Sequence, residues 1–218
     1  MNAGELIASY RDESLDLATP PLVKDDRLLQ FASEAENEAC RRAGLLVDSL
    51  ADFCFVQVDA NDPLVPIDPR IINIRRAKLS ISTYSLSPVR AEEMDRVNPG
   101  WESHVGTPTT YVTNYQTNAI RLYPKQQVAA ELTMTVSRLP LDRLSNKTDE
   151  PEIREEHHPA LVQWMLYRAY SKQDSDLFDA NKAARALAEF EKEFGKKASA
   201  RNERWQADRP MIDTPTIA

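Results

Sequence analysis

The sequence predicts an α+β fold in which helices from both ends of the chain pack together and a β subdomain lies between them. Apolar residues recur every three or four positions near both ends, whereas in the middle they alternate with polar residues. A chain of 218 residues that is 42% hydrophobic is long enough to bury a core. We expect N-terminal helices at 1–52, an antiparallel β-meander at 53–140, C-terminal helices at 151–204 and an extended tail at 205–218.

The first helix is predicted directly after Asn2. Glu5 follows Asn2 at the spacing of a capping box, in which each side chain bonds the backbone N–H of the other residue. Leu6, Ile7 and Tyr10 then form one short apolar face. Two consecutive prolines at positions 20 and 21 end this first helical region.

A second, longer helix is predicted after the prolines. Asp25 or Asp26 is expected to cap its start, because a carboxylate can accept from the free backbone N–H groups there. The apolar residues that follow share one helical face and predict a long amphipathic helix. They are Leu28, Ala32, Ala35, Ala39, Ala43, Leu46 and Leu50.

The middle of the chain reads as β-strands. A change of phase within the second strand, near Arg75 and Arg76, predicts a bulge or bend. Alternation along the last strand indicates that one face of the sheet is covered. The predicted strands are Phe53–Val58, Ile71–Ile81, Tyr111–Tyr115, Ile120–Leu122 and Val128–Val136.

Two further helices are predicted to form a hairpin near the C-terminus. Pro159 is a favourable first helical residue, and an apolar stripe runs from Leu161 to Ala169. Asp179 can cap the second helix, and Gly195 is its natural end. The apolar faces of these two helices are expected to pack against those of the N-terminal helices.

Charge and hydropathy exclude several classes of protein. The chain carries 27 basic and 34 acidic residues, so its formal net charge of −7 repels a phosphate backbone. The main basic cluster, Lys196 and Lys197 with Arg201 and Arg204, is typical of a solvated helix end. No stretch is apolar enough to span a bilayer, and the N-terminus does not resemble a signal peptide. We expect no specific DNA binding, no membrane insertion, and synthesis in a cytosol.

No residue pattern predicts catalysis or cofactor binding. The densest titratable cluster runs from Glu155 to His158, but consecutive helical residues point in different directions and cannot share a metal as residues at i and i+4 do. The five glycines form neither a phosphate loop nor a Gly-x-Ser-x-Gly motif. Cys40 and Cys54 read as buried apolar residues. We predict no catalytic residue, no metal and no cofactor.

Aromatic and apolar residues give candidate partner-binding positions. Trp164, Tyr167 and Tyr170 lie on one predicted helix and are typical of a core or of a subunit interface. The tail contains two prolines that prevent a continuous helix, yet it keeps Trp205, Met211, Ile212 and Ile217. This composition favours a segment that lies extended on another protein; a frayed terminus is the alternative.

Several segments, taken in order, resemble the head-to-tail adaptor (connector) proteins of tailed bacteriophages. The resemblance covers the chain from Ala3 to about Arg204. The segments that carry it are Ala3–Ile7, Ile67–Ala77, Asn98–Trp101, Gly106–Pro108 with Tyr111, Ile120–Pro124, Pro151–Leu161 and Trp164–Tyr170. Arg154 and His157 depart from the family pattern, in which a proline and a tyrosine are more usual, and both departures fall at the start of a helix.

The resemblance implies a structural protein of the virion neck. Such a protein would be made in the host cytoplasm and would form a homo-oligomeric ring, expected to be twelvefold, with the portal protein on one face and a tail or stopper protein on the other. Genomic DNA would pass through the ring without specific binding, which agrees with the acidic composition.

Two other classes of function stay open from the sequence. One is a small metal-dependent hydrolase that uses Glu155, Glu156, His157 and His158. The other is a binding module or transient assembly chaperone that leaves before the particle matures.

Overall fold

The computed structural model describes residues 1–172 and 177–197 of the chain. The described residues form two compact units. The first unit combines residues 1–46 with 138–197 and is helical, whereas the second unit, residues 47–137, contains most of the strands. Both ends of the chain therefore contribute to one unit.

Within the described residues the chain forms helices and strands in the order that the α+β prediction requires, and the predicted fold class is confirmed. The helices are α1 (Ala3–Ser14), α2 (Asp25–Ala43), α3 (Ala91–Val97), α4 (His158–Tyr170) and α5 (Ala180–Phe194). The strands are β1 (Leu46–Asp48), β2 (Phe55–Val58), β3 (Leu64–Pro66), β4 (Ile71–Leu79), β5 (Ser87–Arg90), β6 (Thr110–Gln116), β7 (Ala119–Tyr123) and β8 (Ala130–Arg138).

The start of α1 confirms the predicted capping box. The Asn2 side chain accepts from the backbone N–H of Glu5, and the Glu5 side chain accepts from the backbone N–H of Asn2, both at 2.9 Å. Leu6, Ile7 and Tyr10 are buried, as their spacing predicted. The helix ends because Leu15 adopts a left-handed conformation with φ of 59°.

The start and end of α2 both differ from the sequence prediction. Lys24 is the capping residue and makes no side-chain cap, because Asp25 pairs instead with Arg11 and Lys147. The helix ends at Gly44, which takes the left-handed conformation readily with φ of 59°. Leu46 and Leu50, predicted to extend the helical stripe, therefore lie beyond α2.

Two buried polar side chains of α2 hold the segment between β8 and α4. The hydroxyl of Ser33 accepts from the backbone N–H of Leu144 at 3.0 Å. One carboxylate oxygen of Glu36 accepts from the backbone N–H of Glu152 at 2.6 Å and from that of Ile153 at 3.4 Å. The segment has no helix or strand of its own between these points, so α2 supplies partners for three of its backbone N–H groups.

The C-terminal helices form the predicted hairpin. Asp179 caps α5 by accepting from the backbone N–H groups of Asn181 and Lys182, and Gly195 ends the helix, as predicted. Pro159 stands one position further inside α4 than expected, since His158 is the first helical residue. Helix α4 packs against α1, α2 and α5, so the terminal helices pack together as the sequence predicted.

The strands form two four-stranded sheets. Strand β8 pairs with β1, β2 and β4 in one sheet, and the other has the order β3, β7, β6, β5. The sequence predicted an antiparallel meander, yet β5 and β6 are parallel, with Ser87 opposite Thr110. A parallel pair needs a long connection, and residues 91–109, which include α3, provide it.

The second unit has its own hydrophobic core, built from residues on the inner faces of both sheets. Cys54 belongs to this core, and Cys40 is buried in α2, so both cysteines occupy the predicted apolar positions. In β4, Arg75 and Arg76 are both exposed, and regular alternation begins only at Ala77. The change of phase read from the sequence is thus present in the burial of β4. The central members of the core include Val58, Val65, Leu79, Leu122, Leu132, Met134 and Val136.

Candidate interaction surfaces

The titratable cluster before α4 is divided among separate partners. His158 is buried, and its Nε2 lies 2.8 Å from the carbonyl oxygen of Ile153, so Nε2 carries the proton in this contact. His157 Nδ1 lies 2.8 Å from a carboxylate oxygen of Glu193 on α5. Both imidazoles therefore join the start of α4 to neighbouring segments.

The two carboxylates of the cluster also face different groups. The Met1 ammonium, 3.0 Å from Glu155, holds the pKa of that carboxyl below its usual value. Glu156 pairs with Arg154 at 3.0 Å. Among the residues described, 1–172 and 177–197, no three His, Cys, Asp or Glu side chains are grouped so that they could hold a metal ion. The arrangement supports the start of a helix and offers no shared set of ligands.

The three aromatic residues of α4 differ in accessibility. Trp164 and Tyr170 are buried within the first unit, whereas Tyr167 is half-buried. The Trp164 ring packs against Phe190 of α5 and against Tyr167, with ring centres 5.0 and 5.2 Å apart. Tyr167 thus has the most accessible ring of the three. A partner-binding role for the trio stays a prediction.

A buried arginine joins α2 to the end of α5. The Arg42 guanidinium lies over the rings of Trp164 and Phe190, 5.4 and 5.1 Å from their centres. Its Nε donates to Glu38 at 3.0 Å, and its Nη1 donates to the backbone carbonyl of Gly195 at 3.0 Å. Arg42 therefore fixes the point from which the C-terminal segment leaves α5. This role was not predictable from the sequence, since Arg42 stands beside Arg41 in a helix rich in charged residues.

The tail supplies four candidate partner-binding residues. Trp205, Met211, Ile212 and Ile217 lie outside the described residues. Their proposed contact with another protein stays a prediction.

The loop after α3 is anchored by the indole ring of Trp101. Trp101 is buried, and its Nε1 donates to Asp95 at 2.8 Å. Its ring meets the edges of Tyr115 and Tyr123, each with centres 5.8 Å apart. Gly100 has φ of 79°, which allows the tight turn before the tryptophan. The turn is a structural anchor for the second sheet.

Exposed apolar side chains mark two regions that sequence analysis did not single out. In the second unit they include Phe55, Ile81, Tyr84 and Val128. In the first unit they are concentrated between α1 and α2, at Leu15, Leu17 and Leu22. Leu15 does not share the helical spacing of the apolar residues of α1, and this spacing already indicates that it lies outside the core.

No helix in the described part of the chain is both long and apolar enough to cross a membrane. Among curated proteins, no sequence matches the chain. The family model for the SU10 adaptor protein matches residues 1–213, nearly the whole chain. The resemblance inferred from the ordered segments is confirmed by this match. The chain belongs to the SU10 adaptor protein family, a family of phage head-to-tail adaptors.

Proposed function

We propose that the protein is a structural adaptor that forms a closed ring of twelve copies beneath the portal and connects the capsid to the tail. The observation that carries this proposal is the family match over residues 1–213. A head-to-tail contact between identical copies either closes into a ring or continues as a filament, and a neck of fixed size requires closure. A tail or stopper protein occupies the opposite face of the ring.

The net negative charge of the chain supports a channel through which DNA passes without stable binding to the protein. Each copy contributes a formal net charge of −7. Because like charges repel, a channel wall of such copies disfavours stable contact with phosphates. The genome then passes through the ring during packaging and ejection without specific binding.

The proposal includes a structural rather than a catalytic role for His157 and His158. His157 and His158 both bond groups that shape the start of α4, and the neighbouring carboxylates face other cations. This division favours a scaffold over a reaction centre.

Partner contacts are proposed for the accessible face of α4 and for the tail. Tyr167 is the half-buried member of the aromatic trio, and it packs on Trp164, which holds its ring in place. The tail lies further along the chain than Gly195, whose carbonyl accepts from Arg42. A fixed end of α5 restricts where the tail can meet a neighbouring protein, which favours one docking position.

The mass of the purified protein, measured alone and after mixing with the portal protein of the same phage, tests this function. We expect a complex of one portal ring with twelve copies of the chain, and electron cryomicroscopy should show them as one closed ring. Portal protein alone and chain alone are the controls. A single bound copy, or an open spiral, would contradict the proposal.

A further inference from the structure

The segment between β8 and α4 is long and buries few of its own side chains. Residues 139–153 contain no helix or strand, and most of their side chains are exposed. The buried ones are Pro140, Leu144, Pro151 and Ile153. A segment with so few buried side chains opens at a lower free energy than the packed helices beside it. We refer to residues 139–153 as the strap.

The side chain of Glu152 joins the two ends of the strap. Its carboxylate accepts from the backbone N–H groups of Leu141 and Asp142, although Leu141 is 11 positions away in the sequence. Arg138, the last residue of β8, donates to the same carboxylate at 2.7 Å. The closed shape of the strap therefore depends on the position of Glu152.

Glu36 of α2 holds the strap at that same residue. Its carboxylate accepts from the backbone N–H of Glu152 at 2.6 Å and from that of Ile153 at 3.4 Å. The Glu36 residue is 1% exposed, so the contact is shielded from water. Because Glu36 binds the backbone of Glu152 and the Glu152 side chain binds the start of the strap, a change at Glu36 acts on both ends.

The groups around Glu36 disfavour its ionised form. Burial raises the pKa of the Glu36 carboxyl to about 7, against the two backbone N–H groups that it accepts from. The negative charge of Glu152 also raises this pKa, whereas Arg138 lowers it. Since the Arg138 guanidinium donates to Glu152, its charge is largely matched there.

The other titratable neighbours of α2 do not replace Arg138 as a cation for Glu36. Burial raises the pKa of the Cys40 thiol to about 12, so Cys40 is uncharged near neutral pH. His158 of α4 directs its Nε2 to the carbonyl oxygen of Ile153. The charged residues of α1, α4 and α5 that reach α2 pair with other positions, namely Arg11 with Asp25, Arg168 with Glu34, and Glu191 with Arg42.

We propose that the strap is a conformational device controlled by one proton: it stays on α2 while Glu36 is protonated, and it opens when that proton is lost, while the surrounding helices stay folded. Opening exposes Glu36 to water, where a carboxyl group ionises readily. The closed strap therefore keeps a proton that the open strap releases. This inference concerns a single chain and does not depend on the proposed ring.

The direction of the pH effect follows from this difference in proton binding. The pKa of Glu36 is about 7 with the strap closed and returns toward 4.5 when the side chain is hydrated. Stabilisation of the closed strap is therefore complete below pH 4.5 and is lost as the pH rises through about 7. Across that range the opening equilibrium constant should rise on the order of 300-fold.

Hydrogen–deuterium exchange of the purified full-length chain, measured from about pH 5 to about pH 8, tests the proposal. Each rate is divided by that of an unstructured peptide at the same pH, because exchange is itself base-catalysed. Protection of the strap peptides should fall about 50-fold over this range. At every pH it should be at least about tenfold lower than the protection of α4.

Urea separates local opening of the strap from unfolding of the whole unit. Unfolding exposes much surface, so about 1 M urea should accelerate exchange in α4. Opening of the strap alone exposes little surface, so the same urea concentration should leave exchange of the strap nearly unchanged.

Three variants identify the group that controls the strap. Glu36→Gln keeps an oxygen that accepts the same hydrogen bonds but cannot ionise, so protection of the strap should become nearly independent of pH. Glu150→Gln is the matched control, because it removes an exposed carboxyl from the strap itself, and it should keep the full pH dependence. Glu152→Gln leaves Glu36 in place and removes a neighbouring negative charge, so protection should be lost at lower pH. Circular dichroism verifies that each variant is folded.

Two results would overturn the proposal. Equal protection and an equal urea response in the strap and in α4 would show that the strap opens only when the unit unfolds. A pH dependence that persists in folded Glu36→Gln would show that another group controls the strap. Neither result bears on assembly with the portal protein, which is measured separately, so this inference and the proposed function can fail independently.

Discussion

Arg42 donates a hydrogen bond of 3.0 Å to the backbone carbonyl of Gly195, so a residue in the last turn of α2 holds the end of α5. The same guanidinium pairs with Glu38, and both side chains are more than nine-tenths buried. A buried pair of this kind contributes little net stability as a whole, but removing one partner leaves the other charge without compensation.

Arg42→Ala should lower the free energy of unfolding by about 3 kcal/mol, because Glu38 stays buried without its closest cation. Urea unfolding of the full-length variant measures this change. The neighbouring Arg41 is 44% exposed and gives a matched control. Arg41→Ala should change stability by less than about 0.5 kcal/mol. Equal losses of unfolding free energy in the two variants would show that the effect does not depend on the burial of Arg42.

Glu36 makes stability dependent on pH. Burial raises the pKa of its carboxyl from 4.5 to about 7, against the opposing effect of the two backbone N–H groups that it accepts from. The native state therefore keeps a proton that the unfolded state releases. The stabilisation that follows is complete below pH 4.5 and is lost as the pH rises through about 7.

Glu36→Gln should remove this dependence while keeping an oxygen that accepts the same hydrogen bonds. The difference in free energy of unfolding between the variant and the unaltered chain should change by about 3 kcal/mol from pH 4.5 to above pH 7, in favour of the variant at higher pH. Urea titrations across that range measure it. Glu34→Gln, at a side chain that is 43% exposed, is the control and should leave the pH profile unchanged.

Replacing His157 and His158 together by alanine should affect stability alone. His158 is buried and hydrogen-bonded, so the double variant should lose about 2 kcal/mol of unfolding free energy. Assembly on the portal, measured per folded molecule, should match that of the unaltered chain. A catalytic activity that the unaltered chain possesses and the folded variant lacks would contradict the structural role.

Truncation after Arg204 should leave a folded protein that no longer joins portal rings. Helix α5 ends at Phe194 with Gly195 as its cap, before the removed residues begin. The loss would come from Trp205, Met211, Ile212 and Ile217, the apolar residues of the tail. Circular dichroism and co-sedimentation with portal protein measure folding and assembly. If the truncated chain assembles like the full chain, the tail does not dock.

The elements that depend on neighbouring residues in the chain were predictable. Asn2 with Glu5 forms its capping box, and Asp179 and Gly195 bound α5, because these signals act within one helical turn. Asp25 shows where such local rules fail. Its carboxylate could accept hydrogen bonds at the start of the helix, but it forms ion pairs with Arg11 and Lys147 instead. Lys147 is far away in sequence, so no local rule could include it.

Features that depend on distant contacts were not predictable from one sequence. The division of the strands into two sheets, and the parallel pairing of β5 with β6, follow from which strands meet in space. The burial of Trp164 and Tyr170 was left open, because an aromatic stripe fits a core and an interface equally well. The exposed leucines after α1 depend on the turn at Leu15, which no residue preference favours.

The first unit is built from both ends of the chain, and this arrangement affects the order in which the protein folds during synthesis. Helices α1 and α2 leave the ribosome before α4 and α5, their packing partners, have been made. At about 5 to 20 residues per second, the wait lasts from about 6 to about 30 seconds. The second unit, which is continuous in sequence, can fold during that time. The apolar face of α2 meanwhile stays available to chaperones until α4 and α5 have been made.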